Sequence, residues 1–153
     1  LTDEVCCDLA SIADQKEIEL IQEDGDCTVT GSYLLLYRAV YNLVENAIKY
    51  NHPGGKVTVK ISQKKAVPDP SEPSHTTDCA FVEISDTGIG ISPEFQEKIF
   101  APFFRVDKSR SRAMGGAGLG LALVNEIARQ HGGQVKVVES SEKGSTIALI
   151  LPC

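Results

Sequence analysis

Asn42 and Asn46 stand one helical turn apart in the stretch Asn42-Leu43-Val44-Glu45-Asn46-Ala47-Ile48-Lys49-Tyr50. At about 100° per residue, Leu36, Val40, Leu43, Val44, Ala47 and Ile48 form one apolar helix face. Asn42, Glu45, Asn46, Lys49 and Tyr50 share an arc of roughly 140° on the other side. Asn is a mediocre helix former, so local propensity does not explain a pair of them at i and i+4. Two neutral amide oxygens facing one point can hold a hard cation such as Mg2+, which keeps waters and phosphate oxygens as its other ligands. In that reading Asn42 and Asn46 serve the metal, Lys49 reaches a phosphate and Tyr50 stacks against a base. The competing reading is a polar helix face with an incidental Asn pair, and one short motif does not separate the two.

Asp86-Thr87-Gly88-Ile89-Gly90 is a second candidate. Strand alternation puts Asp86 on the side of Val82 and Ile84, the face expected to pack on the core. A carboxylate there needs donors, because an unpaired buried charge is expensive. An adenine amine would be such a donor, whereas guanine would present a carbonyl oxygen and be repelled. Gly88 and Gly90 would let the backbone approach the ring closely. A plain Asp-Gly turn after a strand is the alternative.

Phe100-Ala101-Pro102-Phe103-Phe104-Arg105 sets three aromatics beside a guanidinium. The aromatics read as a local hydrophobic anchor. Arg105, Lys108, Arg110 and Arg112 then bring positive charge to a stretch without a packing pattern. We expect residues 101–118 to form a mobile lid with a phosphate-facing cation at its base; for all of these cations except Arg105 a solvated loop is the default. Gly115-Gly116-Ala117-Gly118-Leu119-Gly120-Leu121 closes this region. Glycines feeding a helix N-terminus leave amide N–H groups for phosphate oxygens. No Gly-Lys-Ser/Thr follows, which excludes a P-loop. A dinucleotide fold needs a hydrophobic strand directly before the glycines, and Asp107–Met114 is charged and serine-rich.

The elements that must position these groups follow from composition and pattern. A chain of 153 residues with 42% hydrophobic and 24% charged residues suits one globular domain with a real core. A net charge of -6 argues against duplex nucleic acid as a partner. No apolar run approaches the ~20 residues that span a bilayer, and no signal peptide is visible at Leu1. Five cysteines without metal-ligand spacing suit reduced thiols in a cytosolic setting. Leu1–Ala13 reads as a short helix with Val5, Leu9 and Ile12 inward. Glu17–Ile21 and Cys27–Val29 read as strands around the Glu23–Asp26 turn. The long helix opens at Gly31 and Ser32, with Ser32 as N-cap, and Asn51-His52-Pro53-Gly54-Gly55 stops it. Lys56–Ser62 is a strand by alternation, and residues 63–78, with three prolines, read as a mobile, dispensable hairpin insertion. A strand at Phe81–Asp86, a helix from about Leu119 to His131 and a closing hairpin complete the chain.

Four blocks thus occur in order: Asn42–Tyr50, Asp86–Gly90, Phe100–Arg105 and Gly116–Gly120. With a closing Gly144-Ser145-Thr146, they resemble the asparagine, phenylalanine and glycine boxes of the ATP-binding catalytic domain of bacterial sensor histidine kinases. That family shares a superfamily, the Bergerat fold, with the gyrase, Hsp90 and MutL ATPases. The resemblance covers essentially the whole chain and implies a two-layer α/β sandwich. A mixed sheet of about five strands would pack on three helices, with ATP between the long helix and the lid. Carried over by position, Asn46 would coordinate Mg2+ with Asn42 assisting, Lys49 would contact phosphate and Tyr50 would flank the adenine. Asp86 would accept from the adenine amine, and Gly88, Gly90 and Ile91 would shape its pocket. Arg105 would face the γ-phosphate, and Gly116, Gly118 and Gly120 would hinge the lid and offer N–H groups. Leu119 and Thr146 would complete the nucleotide contacts. Ala117 stands where the family often has Thr or Ser, so a hydroxyl contact is missing, and Ala101 replaces a residue that is frequently acidic.

Asn42 bears on the branch. The superfamily's ATPases carry a Glu there as general base for water, and an amide cannot take that proton. The resemblance therefore implies phosphoryl transfer to a protein with little hydrolysis. His52, His75 and His131 lack the acidic neighbour and amphipathic helix of the family's phospho-accepting histidine. The expected acceptor is a dimerising helical hairpin preceding Leu1 in the parent protein, with a response regulator downstream. The isolated domain would be monomeric and cytoplasmic, without membrane contact, and the parent a homodimeric membrane sensor of a bacterium. A nucleotide-binding regulatory module without transfer, and a serine kinase like the superfamily's anti-sigma members, are the alternatives.

Overall fold

Ser32 opens the long helix as its side chain predicts: its Oγ accepts the Leu35 N–H at 3.3 Å, and α2 runs Tyr33–Lys49. Its apolar stripe is buried throughout, with Ala39 added to the six expected positions. This structure, a computed structural model, describes residues 1–104 and 120–153. Around α2 the chain places α1 (Thr2–Gln15), β1 (Glu19–Gln22), β2 (Lys56–Ala66), β3 (Thr77–Asp86), α3 (Gly120–Gln130), β4 (Gln134–Ser141) and β5 (Gly144–Pro152). Two 3-10 turns, Pro93–Phe95 and Lys98–Phe100, follow the Asp86 loop.

The sheet has five strands in the order β1-β2-β3-β5-β4, parallel only between β1 and β2. Strand alternation divides it into two faces. Val57, Val59, Val82, Ile84, Leu149 and Leu151 join α1, α2 and α3 in one core. The opposite face carries a small cluster of Cys79, Phe81, Ala148 and Ile150, with the Lys64 ammonium 4.2 Å from the Phe81 ring centroid. Among the described residues the α/β sandwich of five strands and three α-helices is as expected.

Three local expectations are corrected. In α1 the inward residues are Val5, Leu9 and Ala13, whereas Ile12 is exposed. Ala13 keeps the i, i+4 spacing from Leu9 that a helical stripe requires, and Ile12 falls off it. Cys27–Val29 is not a strand, and β1 does not form a hairpin with it; β1 pairs in parallel with β2 instead. The strands flanking the 63–78 hairpin do not stop at Ser62 and Phe81. The antiparallel ladder continues out to Ala66 and Thr77, leaving residues 67–76 as the connection. Gln134 Nε2 donates to the Val67 carbonyl at 3.0 Å and the Cys153 N–H to Asp78 at 3.0 Å, so the hairpin is tied to its neighbours. His131 also ties two helices together. Its Nδ1 donates to the Ile127 carbonyl at 2.7 Å, while its Nε2 accepts the Ser32 N–H at 3.1 Å. Those two bonds require the Nδ1–H tautomer and lock the end of α3 to the start of α2.

Candidate nucleotide-binding site

The C-terminal half of α2 supplies the amide-rich face because its other face is committed to the core. Asn42 and Asn46 are half-buried at the boundary. The Asn42 Nδ2 donates to the Arg38 carbonyl at 3.0 Å. That bond fixes the amide and turns its oxygen toward the first residue of α3: a Cβ on Gly120 would lie 3.3 Å from Asn42 Oδ1. The amide oxygen of Asn42 and the N-terminus of α3 therefore share one edge. A cavity of about 370 Å³ opens beside Asn42, lined also by Leu34, Tyr37, Arg38, Tyr41 and Leu123.

One turn after Asn46, Tyr50 closes the helix, its N–H on the Asn46 carbonyl at 3.0 Å. The Tyr50 carbonyl then accepts the Ile89 N–H at 3.4 Å. Gly88 packs on the same carbonyl so closely that a Cβ would stand 2.5 Å from it. Asn51, which is buried, adds a second connection. Its Nδ2 donates to the Lys56 carbonyl at 3.0 Å, and its Oδ1 accepts from the His52 N–H at 2.9 Å and the Thr87 hydroxyl at 3.3 Å. Helix end, β2 start and the Asp86 loop are thus joined through one carboxamide. This puts Asn46 and Asp86 at the same end of the sandwich, about one helical turn and one loop contact apart.

Asp86 ends β3 on the core face, as alternation requires. Its Oδ1 accepts the Gly88 N–H at 2.9 Å and the Ser145 N–H at 3.4 Å, and its Oδ2 accepts the Ser145 hydroxyl at 3.0 Å. Burial nevertheless pushes the carboxyl above its ordinary range, against the lowering effect of those bonds. A carboxylate that is desolvated yet still attractive to a further donor suits an exocyclic amine.

The loop after Asp86 is shaped mainly by protein contacts. Gly90 has φ +73° and meets the Ser141 carbonyl, 2.0 Å from where a Cβ would be, and the Ile91 N–H donates to Ser140 Oγ at 2.7 Å. Gly88 and Gly90 are therefore needed for backbone to approach backbone, not only for approach to a ring. Thr146 faces away: it pairs with Ser85, their hydroxyls 2.8 Å apart, on the sheet face opposite Asp86. The neighbouring Ser145 takes the Asp86 contact. Ser145, Asn51 and Thr87 were not singled out as site residues from the sequence; strand parity would have favoured Ser145 once the β3–β5 register was known. The Lys49 carbonyl accepts the Lys16 ammonium at 2.7 Å, and its own side chain is half-buried beside Tyr50. Arg105, Gly116, Gly118 and Leu119, with the expected lid, lie outside the described residues apart from 101–104.

No group of three or more His, Cys, Asp or Glu side chains able to hold a metal occurs among the described residues. A cation here would rest on the Asn42 and Asn46 amide oxygens together with water and phosphate oxygens, a donor set that fits Mg2+.

The family model for histidine kinase-, DNA gyrase B- and HSP90-like ATPases matches residues 31–153. The sensor-like histidine kinase SenX3 of Mycobacterium tuberculosis is 40% identical over 141 residues, covering 92% of this chain and 32% of its own. The histidine protein kinase SaeS of Staphylococcus aureus is 38% identical over 116 residues, 76% of this chain and 30% of its own. The solved structure of the mycobacterial sensor histidine kinase MprB superposes with a TM-score of 0.75 at 31% identity, covering 99% of this chain and 93% of that one. The chain spans about a third of the length of the curated relatives it matches. The chain belongs to the histidine kinase-, DNA gyrase B- and HSP90-like ATPase family, and its sandwich is the ATP-binding catalytic module that sensor histidine kinases of that family carry.

Proposed function

We propose that this chain binds Mg2+-ATP and transfers the γ-phosphoryl group to a histidine on the phosphoacceptor hairpin of its parent kinase, for onward transfer to a response regulator. The observation that carries the proposal is the junction at Tyr50, which sets the Asn42–Asn46 edge and the Asp86 carboxylate at one end of the fold. The adenine amine donates to Asp86, and Tyr50 flanks the ring. Asn46 and Asn42 hold the cation, while Lys49 and Arg105 face the phosphates. When bound, Mg2+ supplies charge neutralisation across the phosphate oxygens.

The bond formed joins an acceptor imidazole nitrogen to the γ-phosphorus, and the bond broken is that phosphorus to the β,γ-bridging oxygen, with ADP leaving and the proton on the other imidazole nitrogen passing to solvent. The chain's residues contribute position and charge, not proton abstraction, because the side chain at 42 is an amide. His131 is unsuited as acceptor, since both of its ring nitrogens are engaged. The parent's homodimer and membrane anchoring belong to the same proposal; among the described residues no helix is long and apolar enough to cross a membrane.

Incubation with γ-labelled ATP and a separately prepared phosphoacceptor hairpin tests the reading. The expected product is labelled hairpin whose label is lost in acid and retained in alkali. Acid-stable label would mean a serine kinase, no label with intact ATP binding would mean a regulatory module, and brisk phosphate release without the hairpin would mean an ATPase.

A further inference from the structure

The end of α3 and the start of α2 build one cap between them. In a capping box the third helical residue, a Glu or Gln, reaches back to the N–H of the N-cap residue. Here Ser32 caps α2 and takes the Leu35 N–H on its Oγ, but Leu35 has no acceptor to return. That acceptor comes from the other helix, as His131 Nε2 accepts the Ser32 N–H at 3.1 Å. The imidazole is held in place for the contact. Gly132, at φ +72°, donates its N–H to the Arg129 carbonyl at 3.0 Å, and the Gly133 N–H donates to the Ala128 carbonyl at 2.8 Å. Those paired bonds of a left-handed helix stop fix the backbone of His131 as the C-cap of α3. The ring Nδ1 then donates to the Ile127 carbonyl at 2.7 Å. Gly31 leaves the room: a Cβ there would stand 2.3 Å from the ring Cδ2 and 2.6 Å from Nε2.

The far ends of the same two helices carry the site. The 11 residues of α3 span about 16 Å, and Ser32 lies about 15 Å from Asn42 along α2. The helices thus run antiparallel, with His131 on Ser32 at one end and Gly120 beside the Asn42 amide oxygen at the other. Between these ends both bury apolar residues in the shared core, Leu36, Val40 and Leu43 from α2 and Val124, Ile127 and Ala128 from α3. Such burial is non-directional, so it fixes the spacing of the two axes better than the slide along them. Among the described residues, the bond from Ser32 to His131 is the one hydrogen bond between these helices and their caps.

We infer that His131 is a positioning residue for the nucleotide site. Its ring sets the slide of α3 along α2 and thereby places the start of α3 against the Asn42 amide, at the phosphate end of the site. The inference rests on the nucleotide reading proposed above. The base end does not depend on it, because Asp86 is held by Gly88 and Ser145.

The test compares His131→Leu, His131→Gln and Gly31→Ala with the unmodified chain by calorimetric titration with Mg2+-ATP and with adenosine, each below its melting range. Leu removes both polar atoms. Gln can offer its amide oxygen to the Ser32 N–H from the place of Nε2, and the Gly31→Ala methyl displaces the ring while His131 stays. His131→Leu should weaken ATP roughly three- to tenfold, the scale of one net hydrogen bond, and leave adenosine unchanged. His131→Gln should recover most of that loss, and Gly31→Ala should reproduce it. If His131→Leu does not fold, Gly31→Ala against His131→Gln carries the same comparison. Equal weakening of ATP and adenosine would reduce His131 to a stabilising contact. Full ATP affinity in His131→Leu, or in Gly31→Ala, would show that apolar packing sets the slide alone. Either result overturns the inference and leaves the nucleotide reading standing, whereas an unmodified chain that binds no ATP would remove that reading and this inference with it.

Discussion

The Asp86 carboxylate and Ser145 face each other across β3 and β5, the hydroxyl donating to Oδ2 at 3.0 Å and the backbone N–H to Oδ1 at 3.4 Å. The pairing register places them directly opposite. Ser145 thereby orients a carboxylate that burial tends to neutralise. Thr146, one residue on, has the same chemistry but the wrong parity. Ser145→Ala should therefore weaken ATP binding by up to roughly 1.5–3 kcal/mol, the net value of a hydrogen bond to a charged group. Thr146→Val should leave it nearly unchanged. Calorimetric titration with ATP compares the two, and equal losses would show that sheet parity does not govern the contact.

Asp86 itself makes a pH prediction. Its folded pKa is raised by burial, so ionisation costs stability above that pKa, and the cost fades as pH falls through it toward the unfolded value near about 3.9. Asp86→Asn should therefore melt at or above the temperature of the unmodified protein at neutral pH, with the gap closing in acid. The same substitution should weaken ATP roughly tenfold to a hundredfold, because the adenine amine loses a charged acceptor. Binding by the unmodified protein should decline as pH falls through the Asp86 pKa, a limb absent from the Asn variant. Thermal unfolding and adenosine competition across pH provide both readouts.

The glycines can be ranked by what a side chain would meet. Gly144 has φ +131°, and a Cβ would lie 1.9 Å from the Asp86 carbonyl oxygen; Gly54 has φ +86° with nothing within 4 Å. Gly54→Ala should cost only the left-handed backbone preference, about 1–2 kcal/mol. Gly144→Ala adds a backbone clash and should cost at least 1–3 kcal/mol more, with loss of ATP binding through displacement of Asp86. Urea midpoints measure the difference, and similar losses would remove the clash as its cause.

How much of this was legible in the sequence depended on how local each feature is. The stripe of α2, its Ser32 cap and the inward parity of Asp86 are set within a few residues, and all appear as read. The segment at Cys27–Val29 has strand-like residues, but no described strand pairs with it, and β1 takes the edge of β2 instead. Strand parity at Thr146 depends on where β5 begins and on its register with β3, which no alternation pattern in β5 alone supplies. Asn51 carries no functional signature; at a helix stop it reads as a breaker until the fold brings Thr87 and Lys56 to it.

Asn51 accordingly predicts a structural effect that propagates. Replacing the buried Asn51 by Ala takes from the His52 N–H the acceptor it has here and removes one of several bonds at the Lys56 carbonyl and the Thr87 hydroxyl, which keep their contacts with each other's residues. The expected cost is about 1–3 kcal/mol, read from urea unfolding. Since Thr87 lies between Asp86 and Gly88, ATP binding should weaken as well, with adenine preference retained because Asp86 is intact. Loss of preference for ATP over GTP would place Asn51 in base recognition instead.

Asn46 separates metal binding from base binding. The amide sits on the polar side of α2 one turn before Tyr50, whose backbone is the part that meets the Asp86 loop. Asn46→Ala keeps that backbone and the apolar stripe, so stability should change by less than about 1 kcal/mol at this helical position. What should disappear is the enhancement of ATP binding by Mg2+, while adenosine, which has no phosphates, binds as before. Titrations of ATP with Mg2+ and with chelator distinguish the outcomes: a variant that keeps the full Mg2+ enhancement would take Asn46 out of the cation's donor set, and one that loses adenosine would place it at the base.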